Sequence, residues 1–213
     1  QIGLDIDGEG AGDHSGHSVS LSADGSILAI GAGMAPNGLK YGQVRVYENV
    51  VGTWTQLGQD IDGVAAVDYS GNSVSLSSDG NTVAIGAYGN DGNGSDAGHV
   101  RVYKNTGGSW SQIGDNIDGE AANDYSGWSV SLSDDGSILA IGAQNNDGNG
   151  SNAGHVRVYQ RDTTNTTIGW SQIGVDLDGE AANDYSGSSV SLSSDGNTLA
   201  IGAQNNDGNG SNA

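Results

Sequence analysis

One unit recurs along this chain, and that recurrence restricts its fold more than any other feature. Asp-Ile-Asp-Gly, or a one-residue variant of it, places its second acid at Asp7, Asp62, Asp118 and Asp178, at spacings of 55, 56 and 60 residues. Nearly four copies of a unit of about 57 residues therefore fill the 213-residue chain. Self-similarity at such a period is the signature of solenoids and propellers, in which each unit buries its apolar face against its neighbour.

Within a unit the periodicity is that of β-structure. Ser18 to Ser22 (SVSLS) alternates strictly, with Val19 and Leu21 on one face and serines on the other. Ser-x-Asp-Gly at 22–25 is a hairpin signal, and Leu28 to Ala32 (LAIGA) returns as the partner strand. Val44 to Tyr47 and Trp54 to Leu57 supply a third and a fourth strand. All four recur around 73–114 and 129–173, and the first two recur at 189–203. Ser, Ala and Gly stand where a solvated face would carry Lys, Glu and Thr, so both faces of each sheet should be covered. Val130 and Leu132 should be buried, with Ser129 and Ser131 facing a neighbouring sheet. Four-stranded antiparallel sheets stacked around an axis are β-propeller blades, so the fold class is all-β. The expected blades are 15–58, 70–114 and 126–174, with a partial blade at 186–213. Closure takes about 4–8 blades, so a segment of a longer polypeptide is expected, and the start at Gln1 without Met reads as a mature product or a fragment.

The pairing of Ser-Gly-x-Ser-Val (Ser15 to Val19, Ser70 to Val74, Ser126 to Val130, Ser186 to Val190) with Ile-Gly-Ala (30–32, 85–87, 141–143, 201–203) resembles the FG-GAP repeat. That family includes the propeller of integrin α chains and many microbial surface proteins. The resemblance covers essentially the whole chain and implies extracellular adhesion or ligand recognition, often with calcium. One departure stands out. The family's calcium loop lies between the first two strands of a blade, and here that link is only Ser-x-Asp-Gly, too short to wrap an ion.

Two other acidic segments remain as cation candidates, since calcium takes six to eight oxygen ligands. Asp91, Asn93 and Ser95 stand at alternate positions of one loop, as do Asp147, Asn149 and Ser151, and Asp207, Asn209 and Ser211. Asn, Asp and Gly are also what a long hairpin turn selects, and the turn reading takes precedence over calcium. The second segment joins blades: Asp5, Asp7, Glu9 and Asp13, then Asp60, Asp62 and Asp68 with Val64 in place of the Glu. Asp118, Glu120 and Asp124, and Asp176, Asp178, Glu180 and Asp184, complete the series. Such carboxylates could act as an acid/base pair on a glycoside, yet a catalytic site is normally unique and these recur in every unit. Asp68, Asp124 and Asp184 are expected to hydrogen-bond backbone in the turn between blades.

His99 and His155 share one repeat position and have too few companions to suggest zinc. His14 replaces a recurring Tyr (69, 125, 185), which reads as a packing variant. Arg45, Arg101 and Arg157 should pair with carboxylates. Trp54, Trp110 and Trp170 recur as packing residues, whereas Trp128 replaces His17, Asn72 and Ser188 and is a candidate contact residue. Asn165 lies in an insertion confined to the third unit and is the best glycosylation candidate.

Composition narrows the partners. With 26 acidic and 6 basic side chains the formal charge is −20, which repels nucleic acid and anionic membranes. There is no cysteine and no apolar run approaching the ~20 residues of a membrane span, so no membrane insertion is expected. No nucleophile elbow, P-loop or His-Glu-x-x-His is present, and the chain is expected not to be an enzyme. The expected function is a non-catalytic extracellular module at the cell surface, binding a protein, a glycan or copies of itself in adhesion or surface assembly. No cofactor is expected with certainty, calcium being the one candidate. The alternative is the propeller scaffold of a carbohydrate-active or metal-dependent hydrolase whose catalytic residues lie outside the repeats.

Overall fold

The computed structural model describes residues 1–35, 39–164, 169–208 and 210. Among these there is no helix, and the chain forms three antiparallel sheets and the first hairpin of a fourth. The first sheet contains β1 (Ser18–Leu21), β2 (Ile27–Ala32), β3 (Gln43–Val50) and β4 (Thr53–Gln56) in that order. The second repeats it as β6 (Ser73–Leu76), β7 (Thr82–Ala87), β8 (His99–Thr106) and β9 (Ser109–Gln112). The third consists of β11 (Ser126–Leu132), β12 (Ile138–Ala143), β13 (His155–Arg161) and β14 (Trp170–Gln172), and β16 (Ser186–Leu192) pairs with β17 (Leu199–Ala203).

Beyond these strands, the outer edge of each blade carries a further segment. The two-residue β5 (Ile61–Asp62), β10 (Ile117–Asp118) and β15 (Leu177–Asp178) pair with the beginnings of β3, β8 and β13, whose later halves pair with β4, β9 and β14. The Asp-x-Asp-Gly motif is thus the returning half of an interrupted fourth strand.

The hairpins form because Ser-x-Asp-Gly satisfies itself. In the second blade the Ser77 hydroxyl donates to the Asp79 carboxylate and accepts from the Thr82 amide, while Gly80 takes φ +67°. The bulge in β11, between Ser126 and Ser129, falls at the Tyr-Ser-Gly turn that opens this blade.

The second sheet buries both of its faces. Val74, Leu76, Val83 and Ile85 of the second blade pack on Ile27, Ala29, Val44 and Val46 of the first. Ala84, Val100 and Val102 on the opposite face of the second blade meet Val130, Leu132, Leu139 and Ile141 of the third. Removing the side chain of a residue as buried as Ile85 typically costs about 2–5 kcal/mol. Val19 and Leu21, which have no preceding blade, are more than half exposed, whereas Val130 and Leu132 are buried as expected.

The serine faces form the seams. Ser18, Ser73 and Ser129 each donate a hydroxyl to the carbonyl of the next blade's Ser-Gly turn, at Gly71, Gly127 and Gly187. Ser20, Ser75 and Ser131 accept the amides of Leu76, Leu132 and Leu192 respectively. At the opposite end, hairpin backbones link from blade to blade, Ala23 to Ser78, Ser78 to Asp134 and Asp134 to Ser194. Trp110 and Trp170 are buried, and each indole N–H reaches a carbonyl of the preceding blade, at Leu57 and Ile113.

Two glycines interlock at each seam. A Cβ on Gly86 would lie 2.0 Å from the carbonyl oxygen of Gly127, and Gly127 itself takes φ +84° with a Cβ position 2.6 Å from the His99 carbonyl. The Gly of Ile-Gly-Ala in one blade and the Gly of Ser-Gly in the next are therefore the two sides of one contact.

Candidate functional site

Several side chains that break the repeat, His14, His17, Tyr88 and Trp128, gather at the end of the blades where the first strands begin and the second strands finish. The Tyr-Ser-Gly-x turns hold Tyr69, Tyr125 and Tyr185 at positive φ (55°, 57° and 55°), closed by amide-to-carbonyl bonds such as Trp128 to Tyr125. The buried carboxylates Asp68, Asp124 and Asp184 support the turns. Each accepts the amide of Ala65, Ala121 or Ala181 and the side-chain amide of Asn90, Asn146 or Asn206.

On this regular base two non-repeating residues build an aromatic cluster. Tyr88 follows β7 where the other units have Gly33, Gln144 and Gln204. Its ring stacks on Tyr69 at 4.8 Å and lies 4.9 Å from Trp128 and 5.5 Å from Tyr125. Burial, reinforced by the adjoining Tyr69 and Tyr125 hydroxyls, pushes the Tyr88 phenol up to about 12, so it stays protonated and can donate a hydrogen bond. The Lys40 ammonium lies 5.4 Å from the Tyr69 ring centre. Tyr69, Tyr88 and Trp128 of this cluster line an open cleft of about 350 Å³ together with His14, His17, Gly33, Met34 and Asn72. That volume suits one small ligand. Trp128 stands out in the sequence by its break in the repeat. Tyr88 carries the same signal, which went unread there.

The proposed cation loops are arranged as turns. The Asp91 carboxylate accepts the Asp96 amide, Asp147 does the same for Asn152, and Ser95 and Ser151 are exposed. Asn93 and Asn149 spend their side-chain amides as donors to the carbonyls of Gly119 and Glu120, and of Gly179 and Glu180. Asp207 is described and engaged with its surroundings, while Asn209, Ser211 and the glycosylation candidate Asn165 lie outside the described residues.

The arginines differ from expectation in what they hold. Arg45, Arg101 and Arg157 donate chiefly to backbone, to the carbonyls of Asp7, Asp62 and Asp118. Among the described residues only Arg45 and Arg157 also face a carboxylate, Glu9 at 3.7 Å and Glu120 at 3.6 Å, because Val64 stands at that position before Arg101.

Solved structures share this fold. A candidate 6-phosphogluconolactonase from Bacteroides uniformis superposes with a TM-score of 0.60 at 12% identity, over 90% of this chain and 48% of that one. A periplasmic gluconolactonase from Pseudomonas aeruginosa gives 0.59 at 15% identity, over 89% of this chain and 51% of that one. The Saccharomyces cerevisiae protein Sqt1 gives 0.50 at 13% identity, over 78% and 36%. The chain thus spans about half the length, or less, of these propellers. A search of curated proteins finds none that matches the sequence.

These likenesses correct the expectation that the chain is not an enzyme, because propellers of this shape include proteins described as lactonases. That expectation rests on the recurrence of the carboxylates and on the lack of local catalytic motifs, and neither registers single residues of different units that the fold brings together. Tyr88, Trp128, His14 and His17 are all unique to their units, and the fold collects them around one cleft. The seams explain why Ser-Gly and Ile-Gly recur in step, and the FG-GAP repeat profile matches residues 61–103, 118–159 and 175–213, more than half of the sequence. The chain belongs to the FG-GAP repeat family.

Proposed function

We propose that the chain is the propeller part of an extracellular carbohydrate-active protein, and that the aromatic cleft holds a sugar ring. The carrying observation is the Tyr69–Tyr88–Trp128 wall, an apolar platform with polar groups at its rim, assembled once in an otherwise repetitive molecule. Stacked aromatic faces suit the C–H face of a pyranose, and Asn72, His14 and His17 offer hydrogen bonds to its hydroxyls. The two imidazoles also supply the side-chain type that hydrolysis near neutral pH uses as acid or base. Neutral sugars and sugar lactones are the ligands to try first. The fold's lactonase likenesses favour the lactone, and a charge of −20 disfavours a phosphorylated one.

The test is calorimetric titration of the chain with neutral hexoses, gluconolactone and short glucans, accompanied by a pH-stat assay of lactone opening. A ligand of this cleft should bind Trp128→Ala and Tyr88→Gln roughly 2- to 12-fold more weakly, as expected for loss of one aromatic contact of about 0.5–1.5 kcal/mol. Unchanged affinity in both variants would remove the cleft from the account.

A further inference from the structure

We infer that the third blade carries a single transition-metal site, of the kind that takes Zn²⁺, built by His155, Glu120 and Asp176. Glu120 comes from the link after β10, His155 opens β13, and Asp176 directly precedes β15. One ligand atom from each lies within 4.8 Å of the others. Imidazole and carboxylate bind zinc at about 2.0–2.2 Å, so a tetrahedral ion would draw such atoms to roughly 3.4 Å, within reach of small side-chain rotations. The His155 ring is almost wholly buried, and its Nδ1 faces Glu120 Oε2 at 3.9 Å and Asp178 Oδ1 at 4.0 Å. Those separations are too long for hydrogen bonds and suited to atoms that share an ion.

The other blades act as built-in controls. In the first, Gln43 occupies the histidine position and its Nε2 donates to Glu9 (3.4 Å), Asp60 (3.0 Å) and Asp62 (3.4 Å), so a side-chain donor sits where three carboxylates converge. The third blade keeps that carboxylate set as Glu120, Asp176 and Asp178 but has replaced the donor with an imidazole. In the second, His99 is present but Val64 and Asn116 replace two of the acids, and both ring nitrogens of His99 are left without hydrogen bonds. Only the third blade combines a nitrogen ligand with the full acid set.

Charge and support agree with this reading. Three carboxylates facing one guanidinium, Arg157 at 3.6 Å from Glu120 Oε1, leave an excess of two negative charges, which a divalent cation cancels. Arg157 holds one oxygen of Glu120 and leaves the other toward His155, and Gln172 holds Asp176 Oδ1 at 2.7 Å. Such outer partners are what orient carboxylate ligands.

The chain, freed of metal by chelation, is titrated with Zn²⁺ by calorimetry and with Co²⁺ by visible absorption, and melted with and without each ion. One equivalent should bind, Co²⁺ should give the absorption of a low-symmetry N/O site, and metal at a hundredfold its Kd should raise Tm by roughly 5–10 °C. His155→Gln reproduces the residue that the first blade already tolerates and should fold while losing the site. Glu120→Val with Asp176→Asn reproduces the second blade's set and should lose it too, whereas His99→Gln should keep it. Absence of stoichiometric binding by the folded chain overturns the proposal. So does binding that survives in both third-blade variants, or that disappears in His99→Gln.

Discussion

The His99 ring is fully buried, and neither of its nitrogens makes a hydrogen bond. Asp118 lies 3.9 Å from Nδ1, but burial outweighs it and, with Arg101 nearby, lowers the imidazole pKa to about 4. A histidine whose folded pKa lies below its unfolded value of about 6.5 contributes its full share of stability above pH 6.5. That share is lost as pH falls from about 6.5 toward 4, because the unfolded chain takes up the proton first. The loss should approach about 3 kcal/mol at pH 4. Urea unfolding at pH 7 and pH 5 checks this, and His99→Gln should flatten the difference by about one proton's worth of slope; equal slopes would show that the ring titrates normally. At this scale the sequence was informative about identity and silent about company. Trp128 was visible as a break in the repeat, but its meeting with Tyr88, 40 positions earlier, depends on how two blades abut. The set around His155 was hidden similarly, since Glu120 precedes its blade and Asp176 follows the fourth strand. A four-strand blade also stops short of β15, the short segment that carries Asp178 to the histidine.

Strands and hairpins were legible because period-2 alternation and Ser-x-Asp-Gly are local signals that need no knowledge of distant residues. The serine faces were legible too, since polar but small side chains on a sheet surface imply a close neighbour, and Ser129 and Ser131 do bond to the next blade. The glycine contact at the seam required three dimensions. Gly127 combines φ +84° with a Cβ position 3.1 Å from the Gly86 Cα, so a side chain there meets both strain and backbone. Gly127→Ala should destabilise the chain by about 2–4 kcal/mol, read as a lower urea midpoint, whereas Gly107→Ala, where a Cβ meets nothing, carries only the strain of its φ of +62° and should cost about 1 kcal/mol. Equal costs would mean that the seam can open to admit a methyl group.

Across the whole molecule the excess of acid over base leaves a self-repelling surface. Its relief by salt should be general, because the exposed loop acids Asp91 and Asp147 are already committed to turn amides. Raising NaCl from 10 to 150 mM shortens the Debye length from about 30 to about 8 Å, and Tm by differential scanning calorimetry should climb by a few °C. MgCl₂ of matched ionic strength should act alike; a Tm independent of salt would mean that the carboxylates are compensated within the fold.

The interlocked seam has an evolutionary corollary. Gly31 with Gly71, Gly86 with Gly127 and Gly142 with Gly187 are chemically the same joint, and each joint involves only the two units that share it. Inserting or deleting one unit in frame would leave every remaining joint intact, so copy number is written in no single residue. Residues 141–153 and 201–213 are identical in sequence, the kind of tract at which misaligned recombination adds or removes a unit. A lineage carrying this chain can therefore vary its number of units without inventing a new interface, and diverge residues such as Tyr88, Trp128 and His155 one unit at a time.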